Sequence, residues 1–462
     1  LALSQQKKIM SLIGNILLWV LISVAALAVL SLSILYIRGA FRWRAVLHIE
    51  HAIAPHDDRF IPAIKSLSKS LASEGQVVGF WDSAKAIQQA RIEAIADARH
   101  SIQFETFMMT PGKRAQAFAA VIARKAAEGV VVQLLADSFG TRAMPSKYWS
   151  RLRAAGVQVI FFNPFDWRAP VNFAGRTHRK LLIIDSKKVL IGGAGISDLW
   201  DGIEKSDDEK PWLDIEIAMV GDVVMALSAS FQKHWEGHRG EEGATGIDMS
   251  KIFPAAVSSN VSSNVSSSSG DNSSLKRTYP VLVTPGTKPS YRDSSIETLK
   301  QALIACARKR IWLSSPYFLP NKSSRQLLIA AKQAGLDIRI LTTSEKSDKK
   351  PVYYASYEVY GPLLEAGIQV FEYQPSMLHA KLLMIDDDWI NTGSANFDYR
   401  SFLHNDELDL VIKSPELVQK VEQVFEQGFA QSEQIGLDKW KRRSWLKHRL
   451  LGNIVRLVQW QL

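Results

Sequence analysis

Cysteine is almost absent from this chain, and the residue spacings that hold metal ions are missing. Cys306 is the single cysteine in 462 residues, which excludes an internal disulfide and any cysteine-based metal cluster. It lies in the apolar helical pattern 303–307, where a buried and unreactive thiol is expected. No other group of residues has metal-ligand spacing. The sequence therefore predicts chemistry that needs neither a metal nor a cofactor.

Negative charge is also in short supply. The chain has 56 Lys and Arg residues against 46 Asp and Glu residues, so its formal net charge is +10. This surplus favours acidic partners, either anionic lipid or nucleic acid, and does not choose between them. The hydrophobic content of 47% is that of a globular protein, and the length of 462 residues allows two to three domains.

One apolar run is long enough to cross a membrane. Residues 12–37 are almost wholly apolar, which suffices for one spanning helix. A cleaved signal peptide would have a shorter apolar run and a small-residue cleavage site, whereas Arg38, Arg42 and Arg44 follow this run at once. The pattern favours an uncleaved single-pass anchor over a removed signal. Two lysines precede the run, and the slight excess of positive charge after it predicts that the bulk of the chain lies in the cytoplasm.

The most informative stretch is residues 378–396. His379 and Lys381 alternate with apolar neighbours and four apolar residues follow, so the pattern predicts a buried strand with both polar side chains on one face. Burying a charge without a partner is costly, so an imidazole and an ammonium group side by side imply a bound anion. A phosphate fits, because Ser394 and Asn396 would donate hydrogen bonds to it.

The same motif occurs a second time, at residues 177–193. Both copies have the spacing His-x-Lys-x-x-x-x-Asp, and each is followed by a glycine after the same gap. The residues are His178, Lys180 and Asp185 in the first copy and His379, Lys381 and Asp386 in the second. A lone histidine beside a strand is more often structural than functional, but two matches at identical spacing indicate function. The two aspartates are better suited to holding neighbouring groups than to chemistry.

The segments around the two motifs repeat as well. In the same order, residues 98–102 match 307–311, residues 129–135 match 335–341, and residues 152–159 match 363–370. Helical patterns at 87–98 and 115–127 alternate with strand patterns at 101–108 and 130–136, which is typical of a layered α/β unit. A duplication of this size predicts two similar domains.

We expect five segments, with a polar connection at 45–80 that ends in one short strand at 76–81. The segments are an anchor over residues 1–44, a first domain over 45–256, a Ser-rich linker over 257–277, a second domain over 278–432 and a basic amphipathic tail over 433–462.

The two motifs resemble those of the phospholipase D superfamily, whose members carry two such motifs in two halves around one active site. The resemblance covers nearly all of the chain after roughly residue 100. It implies an α/β fold with two similar α/β/α domains related by pseudo-twofold symmetry. It also implies a catalytic set drawn from both motifs. That set is His178, Lys180, Asp185, His379, Lys381 and Asp386.

The resemblance further implies a role for each side chain. The nucleophile is usually the histidine of the first motif, so His178 would form a phosphohistidine and His379 would act as acid and base. Lys180 and Lys381 would neutralise the phosphate oxygens. An acidic residue after each motif would orient an imidazole, which assigns Asp214 and Glu407 to that role. The two imidazoles would be held in opposite protonation states.

The first motif departs from the pattern in one respect. Gly193 and Gly195 stand where the second copy has Ser394 and Asn396, so one half lacks those side-chain donors. Backbone amides, that of Gly193 among them, could bind the phosphate instead.

More narrowly, the sequences at 315–320, 393–402 and 405–408 are similar to those of bacterial cardiolipin synthases. That likeness implies a phosphatidyltransferase that moves a phosphatidyl group between two phosphatidylglycerol molecules and releases glycerol. The partner would be an anionic phospholipid membrane, the bacterial inner membrane, with no nucleic acid. A phospholipase D hydrolase or a metal-independent nuclease with the same residues is the alternative. A catalytically silent membrane scaffold is the third hypothesis.

Two flanking features bear on the membrane. An aromatic-rich loop at 161–173 precedes the first motif, and it would form either a lip for acyl chains or a plug at the domain interface. The tail interleaves Lys and Arg with Trp and Leu at helical spacing, which suits either an anionic membrane surface or a helix packed on the enzyme itself.

Overall fold

The structure is a computed structural model that describes residues 2–40, 52–167, 175–202, 210–238, 278–286 and 294–459. The chain divides into two compact units, Leu1–Ala45 and Val46–Leu462. The predicted linker at 257–277 lies outside the described residues, as does the part of the aromatic loop at 168–174.

The first unit is one helix, α1 (Ala2–Ala40). Its segment Met10–Ile34 spans 25 residues with a mean hydropathy of 2.6, and none of the apolar window is buried by other residues. The length and composition are those of a membrane-crossing helix.

The second unit has two halves with matching elements. The first half consists of α2 (Phe60–Ser68), β1 (Leu71–Ser83), α3 (Ala84–Ala96), β2 (Ser101–Thr106), α4 (Lys113–Ala127), β3 (Val131–Asp137), α5 (Ser146–Ala154), β4 (Gln158–Phe162), β5 (Arg176–Thr177), β6 (Lys180–Ile184), β7 (Lys188–Gly192), β8 (Leu213–Val220) and α6 (Val223–His238). A short 3-10 helix, Asp198–Asp201, lies between β7 and β8.

The second half repeats this order and ends in the tail. It consists of β9 (Tyr279–Pro285), α7 (Ser295–Cys306), β10 (Arg310–Ser315), α8 (Lys322–Gln333), β11 (Asp337–Thr343), α9 (Lys350–Tyr357), α10 (Tyr360–Glu365), β12 (Gln369–Tyr373), β13 (Leu382–Ile385), β14 (Trp389–Gly393), α11 (Tyr399–Leu403), β15 (Asn405–Asp406), β16 (Leu408–Lys413), α12 (Pro415–Ala430), β17 (Ser432–Gln434), α13 (Leu437–Lys441), a π-helix (Trp445–Gly452) and α14 (Asn453–Leu457).

One sheet of 15 strands joins the two halves. Strands β1 and β9 pair antiparallel at its middle. Outward from β1 the order is β8, β7, β6, β2, β3 and β4, and outward from β9 it is β16, β14, β13, β10, β11, β12 and β17. The matching order on both sides shows the pseudo-twofold symmetry, and the predicted fold class is confirmed.

The strands are buried on both faces of this sheet. In β6, Leu181 and Ile183 pack into one core with α6, whereas Leu182 and Ile184 pack into the opposite core with α4. Alternate residues of β13 divide in the same way. Because successive side chains of a strand point to opposite faces, helices cover the sheet on both sides.

The expected polar connection at 45–80 is wrong in its described part. Residues 60–68 form α2, and β1 extends over 13 residues instead of one short strand. Strand β1 pairs with β8 on one side and β9 on the other. The sequence of β1 lacks a clear strand pattern because it is polar and contains glycine. About half of its residues are only partly buried, so the strand does not need a continuous apolar face.

Candidate active site

The two motif histidines lie just before β6 and β13, one strand in each half of the sheet. Lys180 is the first residue of β6, whereas His178 precedes that strand, and both His379 and Lys381 precede β13. The predicted single strand through each motif is therefore wrong at its start. The histidine segments bend out of the sheet because each one pairs with the other half of the molecule.

Backbone hydrogen bonds cross between the halves at both histidines. Strand β5 pairs with β15 in a two-stranded parallel sheet, and the amide of His178 donates to Asp406 O at 2.9 Å. On the other side, the amide of His379 donates to Leu213 O at 2.7 Å. Each motif is thus held by a backbone segment of the opposite half, β15 before β16 for His178 and the start of β8 for His379.

A carboxylate from the opposite half contacts each imidazole. His178 Nδ1 lies 3.0 Å from Glu407 Oε2 and 2.9 Å from Ser394 O, and His379 Nδ1 lies 2.7 Å from Asp214 Oδ2. A neutral imidazole that donates from Nδ1 leaves its Nε2 lone pair available. Asp214 and Glu407, the two acids predicted to orient an imidazole, thus each contact the imidazole of the opposite half.

The two lysines are buried beside the histidines. Lys180 Nζ donates to His178 O at 2.6 Å, and Lys381 Nζ donates to His379 O at 2.5 Å and lies 3.0 Å from His379 Nδ1. Burial lowers the pKa of Lys381 to about 8. Burial and the charge of Lys381 hold the pKa of Lys180 well below its usual value. Two cations held this close stabilise a bound anion.

The pKa of both imidazoles is lowered by their surroundings. Burial, followed by the charges of Lys180 and Lys381, lowers the pKa of His178 well below its usual value. Burial and Lys381 lower the pKa of His379 to about 4, although Asp214 opposes them. Burial and the lysine charges thus disfavour imidazolium at both positions, and the expected opposite protonation states stay a prediction that needs the charge of a bound phosphate.

The two motif aspartates lie apart from this cluster. The carboxylate of Asp185 accepts hydrogen bonds from the amides of residues 99–101, and that of Asp386 accepts them from the amides of residues 308–310. Both aspartates have a φ of 53° at the hairpin turn after β6 or β13. The structure assigns them to holding the backbone and does not bring them to the imidazoles.

The predicted phosphate donors have other partners. The Ser394 hydroxyl donates to Glu407 Oε2 at 2.5 Å and accepts from the Leu408 amide at 2.9 Å. The Gly193 amide donates to Ile215 O at 3.2 Å, because the pairing of β7 with β8 continues through it. The predicted roles of Ser394 and Gly193 are corrected accordingly. The Asn396 side chain is buried and interacts with Asp398.

Sequence reasoning missed the aromatic walls of the site. Phe107 meets the ring of His178 edge-on at 5.1 Å, and Trp200 meets the ring of His379 edge-on at 5.1 Å. Trp200 Nε1 also donates to Asp214 Oδ2 at 2.9 Å. The only sequence signal was the position of each aromatic residue shortly after a strand or motif. In the described part of the chain, no group of His, Cys, Asp and Glu is arranged to hold a metal ion.

Comparison with known proteins decides the family. The family model described as "Cardiolipin synthase, PLD-like domain" matches residues 91–199 and 301–428, half of the chain. The chain belongs to this cardiolipin synthase family. Cardiolipin synthase 2 of Bacillus anthracis is 31% identical over 80% of this chain and 68% of its own length. Cardiolipin synthase A of Pseudomonas putida is 30% identical over 84% of this chain and 76% of its own.

A solved structure supports the fold. The phosphatidylserine synthase of Haemophilus influenzae aligns with a TM-score of 0.63 and 16% identity, over 88% of this chain and 100% of that one. The family model and the cardiolipin synthase relatives make this chain a phosphatidyltransferase of the phospholipase D superfamily. Its cardiolipin synthase relatives and the apolar helix α1 fit a membrane-associated protein.

Proposed function

We propose that this protein is a cardiolipin synthase that transfers a phosphatidyl group from one phosphatidylglycerol to the terminal hydroxyl of a second, releasing glycerol. The observation that carries the proposal is the exchange of carboxylates, in which Glu407 contacts His178 and Asp214 contacts His379. It binds the two motifs into one composite site, with both lysines close enough to lower the pKa of His178. Such a site suits one phosphodiester at a time.

In the first step His178 is the nucleophile. Its Nδ1 is held by Glu407 and the Ser394 carbonyl, so Nε2 attacks phosphorus and a phosphorus–nitrogen bond forms. The phosphorus–oxygen bond to glycerol breaks, and His379 gives its proton to the departing alkoxide. The phosphate charge opposes that of the lysines and raises the pKa of His379 when substrate binds. The ionised Asp214, whose pKa the charges of His379 and Lys381 lower to about 2 against the effect of burial, stabilises the imidazolium.

In the second step the terminal hydroxyl of another phosphatidylglycerol attacks the phosphohistidine. Its oxygen bonds to phosphorus, its proton passes to His379, and the phosphorus–nitrogen bond breaks. Lys180 and Lys381 neutralise the nonbridging oxygens in both steps. Water in place of the alcohol would give phosphatidic acid, so exclusion of water decides between synthase and hydrolase.

The protein would act at the bacterial inner membrane as a single-pass protein with its catalytic part in the cytoplasm. The helix Met10–Ile34 provides the anchor, and the arginines after it favour that orientation. Phe165 and Trp167 in the described part of the aromatic loop are 66% and 75% exposed, which favours the lip over the interface plug.

The tail combines the two alternatives that the sequence left open. The indole Nε1 of Trp440 donates to Tyr357 O at 2.8 Å, and the His448 ring lies 4.4 Å from that of Tyr357, so one face packs on the enzyme. Trp445 and Leu446 on the other face are 65% and 63% exposed. We expect this outer face to rest in the headgroup region of an anionic membrane.

The test uses the purified full chain with phosphatidylglycerol vesicles in the presence of EDTA. Release of glycerol together with a four-chain phospholipid is the expected result. Phosphatidic acid as the sole lipid product would replace the synthase with a hydrolase. Unchanged lipid would overturn both functions.

A further inference from the structure

Three arginines outside the two motifs interact near the segment that leads into His178. This arginine cluster consists of Arg142, which follows β3, Arg176 in β5, and Arg400 in α11. Arg176 lies two residues before His178 and pairs through its backbone with Asn405, next to the Asp406 carbonyl that accepts from the His178 amide. The cluster therefore draws on both halves of the molecule, and Arg176 belongs to the backbone pairing that positions His178.

The cluster is built around one ring. The guanidinium carbons of Arg142 and Arg176 lie 3.8 and 4.8 Å from the centre of the Phe139 ring. Arg176 is only 4% exposed, whereas Arg142 is exposed. Asp137 lies among them, and its carboxylate accepts hydrogen bonds from the amides of Phe139, Gly140 and Thr177 at 2.9 to 3.1 Å. The protein thus orders this region with backbone bonds and aromatic contacts.

The charges in this region favour an anion. Burial lowers the pKa of Arg176, and the charges of Arg400 and Arg142 lower it further in spite of Asp137. Burial also lowers the pKa of Arg400, although the charge of Asp137 opposes it, and burial raises the pKa of Asp137 to about 6. Guanidinium groups that disfavour one another's charge are stabilised when a phosphate enters between them.

The proposed reaction needs a second place for a phosphate. Lys180 and Lys381 hold the reacting phosphate at the imidazoles, but the acceptor phosphatidylglycerol carries a phosphodiester of its own. That second phosphate lies one glycerol unit away from the attacking hydroxyl. We propose that the arginine cluster binds the phosphate of the acceptor phosphatidylglycerol and so selects a lipid acceptor over water. This inference rests on the proposed synthase function.

The test compares an anionic acceptor with a neutral one in the same reaction. The full chain is placed in phosphatidylcholine vesicles that contain acyl-labelled phosphatidylglycerol, with ethanol added as the competing acceptor. The measured quantity is the ratio of cardiolipin to phosphatidylethanol, with phosphatidic acid measured alongside. Because the ratio is formed within one reaction, partial loss of folded enzyme does not change it.

The variants are Arg142→Gln and Arg400→Gln, with Arg400→Lys as the charge-retaining form and the exposed Arg151→Gln as the matched control. Losing one charged hydrogen bond to the acceptor should lower the ratio about tenfold, with Arg400→Lys between this value and that of the wild type. Arg142→Gln alters an exposed side chain, so it keeps the test valid if a variant at Arg400 fails to fold.

Ratios equal to that of the wild type in Arg142→Gln and Arg400→Gln would overturn the subsite. A wild-type enzyme that forms neither cardiolipin nor phosphatidylethanol would overturn the proposed function and, with it, this inference. The two failures are therefore distinguishable.

Discussion

The two halves of the molecule hold their histidines with the same geometry and different chemistry. Glu407, which contacts His178, accepts hydrogen bonds from the Ser394 hydroxyl and from Asn405 Nδ2. Asp214, which contacts His379, accepts instead from the indole of Trp200 and from the amide of Ile215. A duplicated fold has therefore kept the carboxylate and changed its supporting donors.

The glycines of the first motif explain this difference. A Cβ atom at residue 193 would lie 2.2 Å from Asp214 Oδ1, and one at residue 195 would lie 2.8 Å from Met108 O and 3.1 Å from the Trp200 ring. The first half has no room for the serine and asparagine of the second, because Asp214 lies too close to residue 193 and Met108 and Trp200 lie too close to residue 195. The glycines of the first motif therefore do not mark a lost site, because the Trp200 indole donates to Asp214 where the Ser394 hydroxyl donates to Glu407 in the second half.

The two carboxyl groups also differ in the direction in which their pKa is shifted. The charges of His379 and Lys381 lower the pKa of Asp214 to about 2 against the effect of burial, whereas burial raises the pKa of Glu407. A firmly ionised partner favours imidazolium at His379, and a weaker one favours a neutral ring at His178. This asymmetry supports the proposed acid and the proposed nucleophile.

Removal of the histidines should have the largest effect. His178→Ala should abolish transfer and form no covalent adduct with acyl-labelled phosphatidylglycerol, because it lacks the nucleophile. His379→Ala should slow turnover by about 10²–10⁴-fold, the range for loss of a general acid, and should still form labelled enzyme. Label retained on acid-quenched protein measures the adduct. The exposed His56→Ala is the control, and adduct formation by His178→Ala alone would reverse the two roles.

Replacing the two carboxylates by amides should have the next largest effect. The losses should differ between Asp214 and Glu407, because the two acids support different protonation states of their histidines. Asp214→Asn should lower kcat about 100-fold, because it removes the charge that stabilises imidazolium at His379 and so weakens a general acid whose complete loss costs about 10²–10⁴-fold. Glu407→Gln should lower kcat about tenfold, because its carbonyl oxygen can still accept from Nδ1 of His178, which attacks as a neutral ring, so only the charge-assisted part of that hydrogen bond is lost. Steady-state cardiolipin formation measures both, with the exposed Asp222→Asn as control. Equal losses would show that the carboxylates do not distinguish the histidines.

A serine at residue 193, the position that matches Ser394, should destabilise the protein and should not restore the hydrogen bond seen in the second motif. Gly193→Ser should destabilise the protein by about 1–3 kcal/mol, the usual cost of overpacking, because the new side chain meets Asp214 where Trp200 and His379 hold it. Urea unfolding of the detergent-solubilised chain measures this cost. Gly237→Ser is the matched control, since a Cβ there meets no atom within 4 Å. A Gly193→Ser variant as stable as this control would mean that Asp214 can move aside.

The sequence was informative wherever the duplication repeats. Identical spacing of His, Lys and Asp predicted two similar halves, and the match around Asp214 and Glu407 predicted the acids that now lie against the imidazoles. The exchange between halves was not predictable, because spacing along the chain does not say which of two equivalent partners a side chain meets. That choice is made by the pairing of β5 with β15 and by the contact of Leu213 with Leu378.

Polar residues near the site were the harder case. Ser394 and Gly193 were predicted to bind phosphate because donors beside cations usually do, but the structure commits the first to Glu407 and the second to the sheet. Trp200 carried no motif, so its indole could not be anticipated as a donor. Strand β1 was predicted only over residues 76–81, because its first residues, 71–75, are poor in strand-forming types and are held by their pairing with β9.

The smallest predicted effect distinguishes the two lysines through pH. A lysine with a lowered pKa loses its charge as pH rises, so affinity for an anionic phosphate falls in the alkaline direction. Because burial lowers the pKa of Lys381 to about 8, kcat/KM for phosphatidylglycerol should fall to about half its plateau near that pH. In Lys381→Arg the charge persists across this range, so the decline belonging to Lys381 should disappear, while any decline that remains belongs to Lys180. Initial rates between pH 6 and 10 measure the profile, with the exposed Lys309→Arg as control. A wild-type profile that is flat to pH 10 would mean that the charge of Lys381 does not limit substrate binding. The two lysines would then differ less in pKa than Asp214 and Glu407 do.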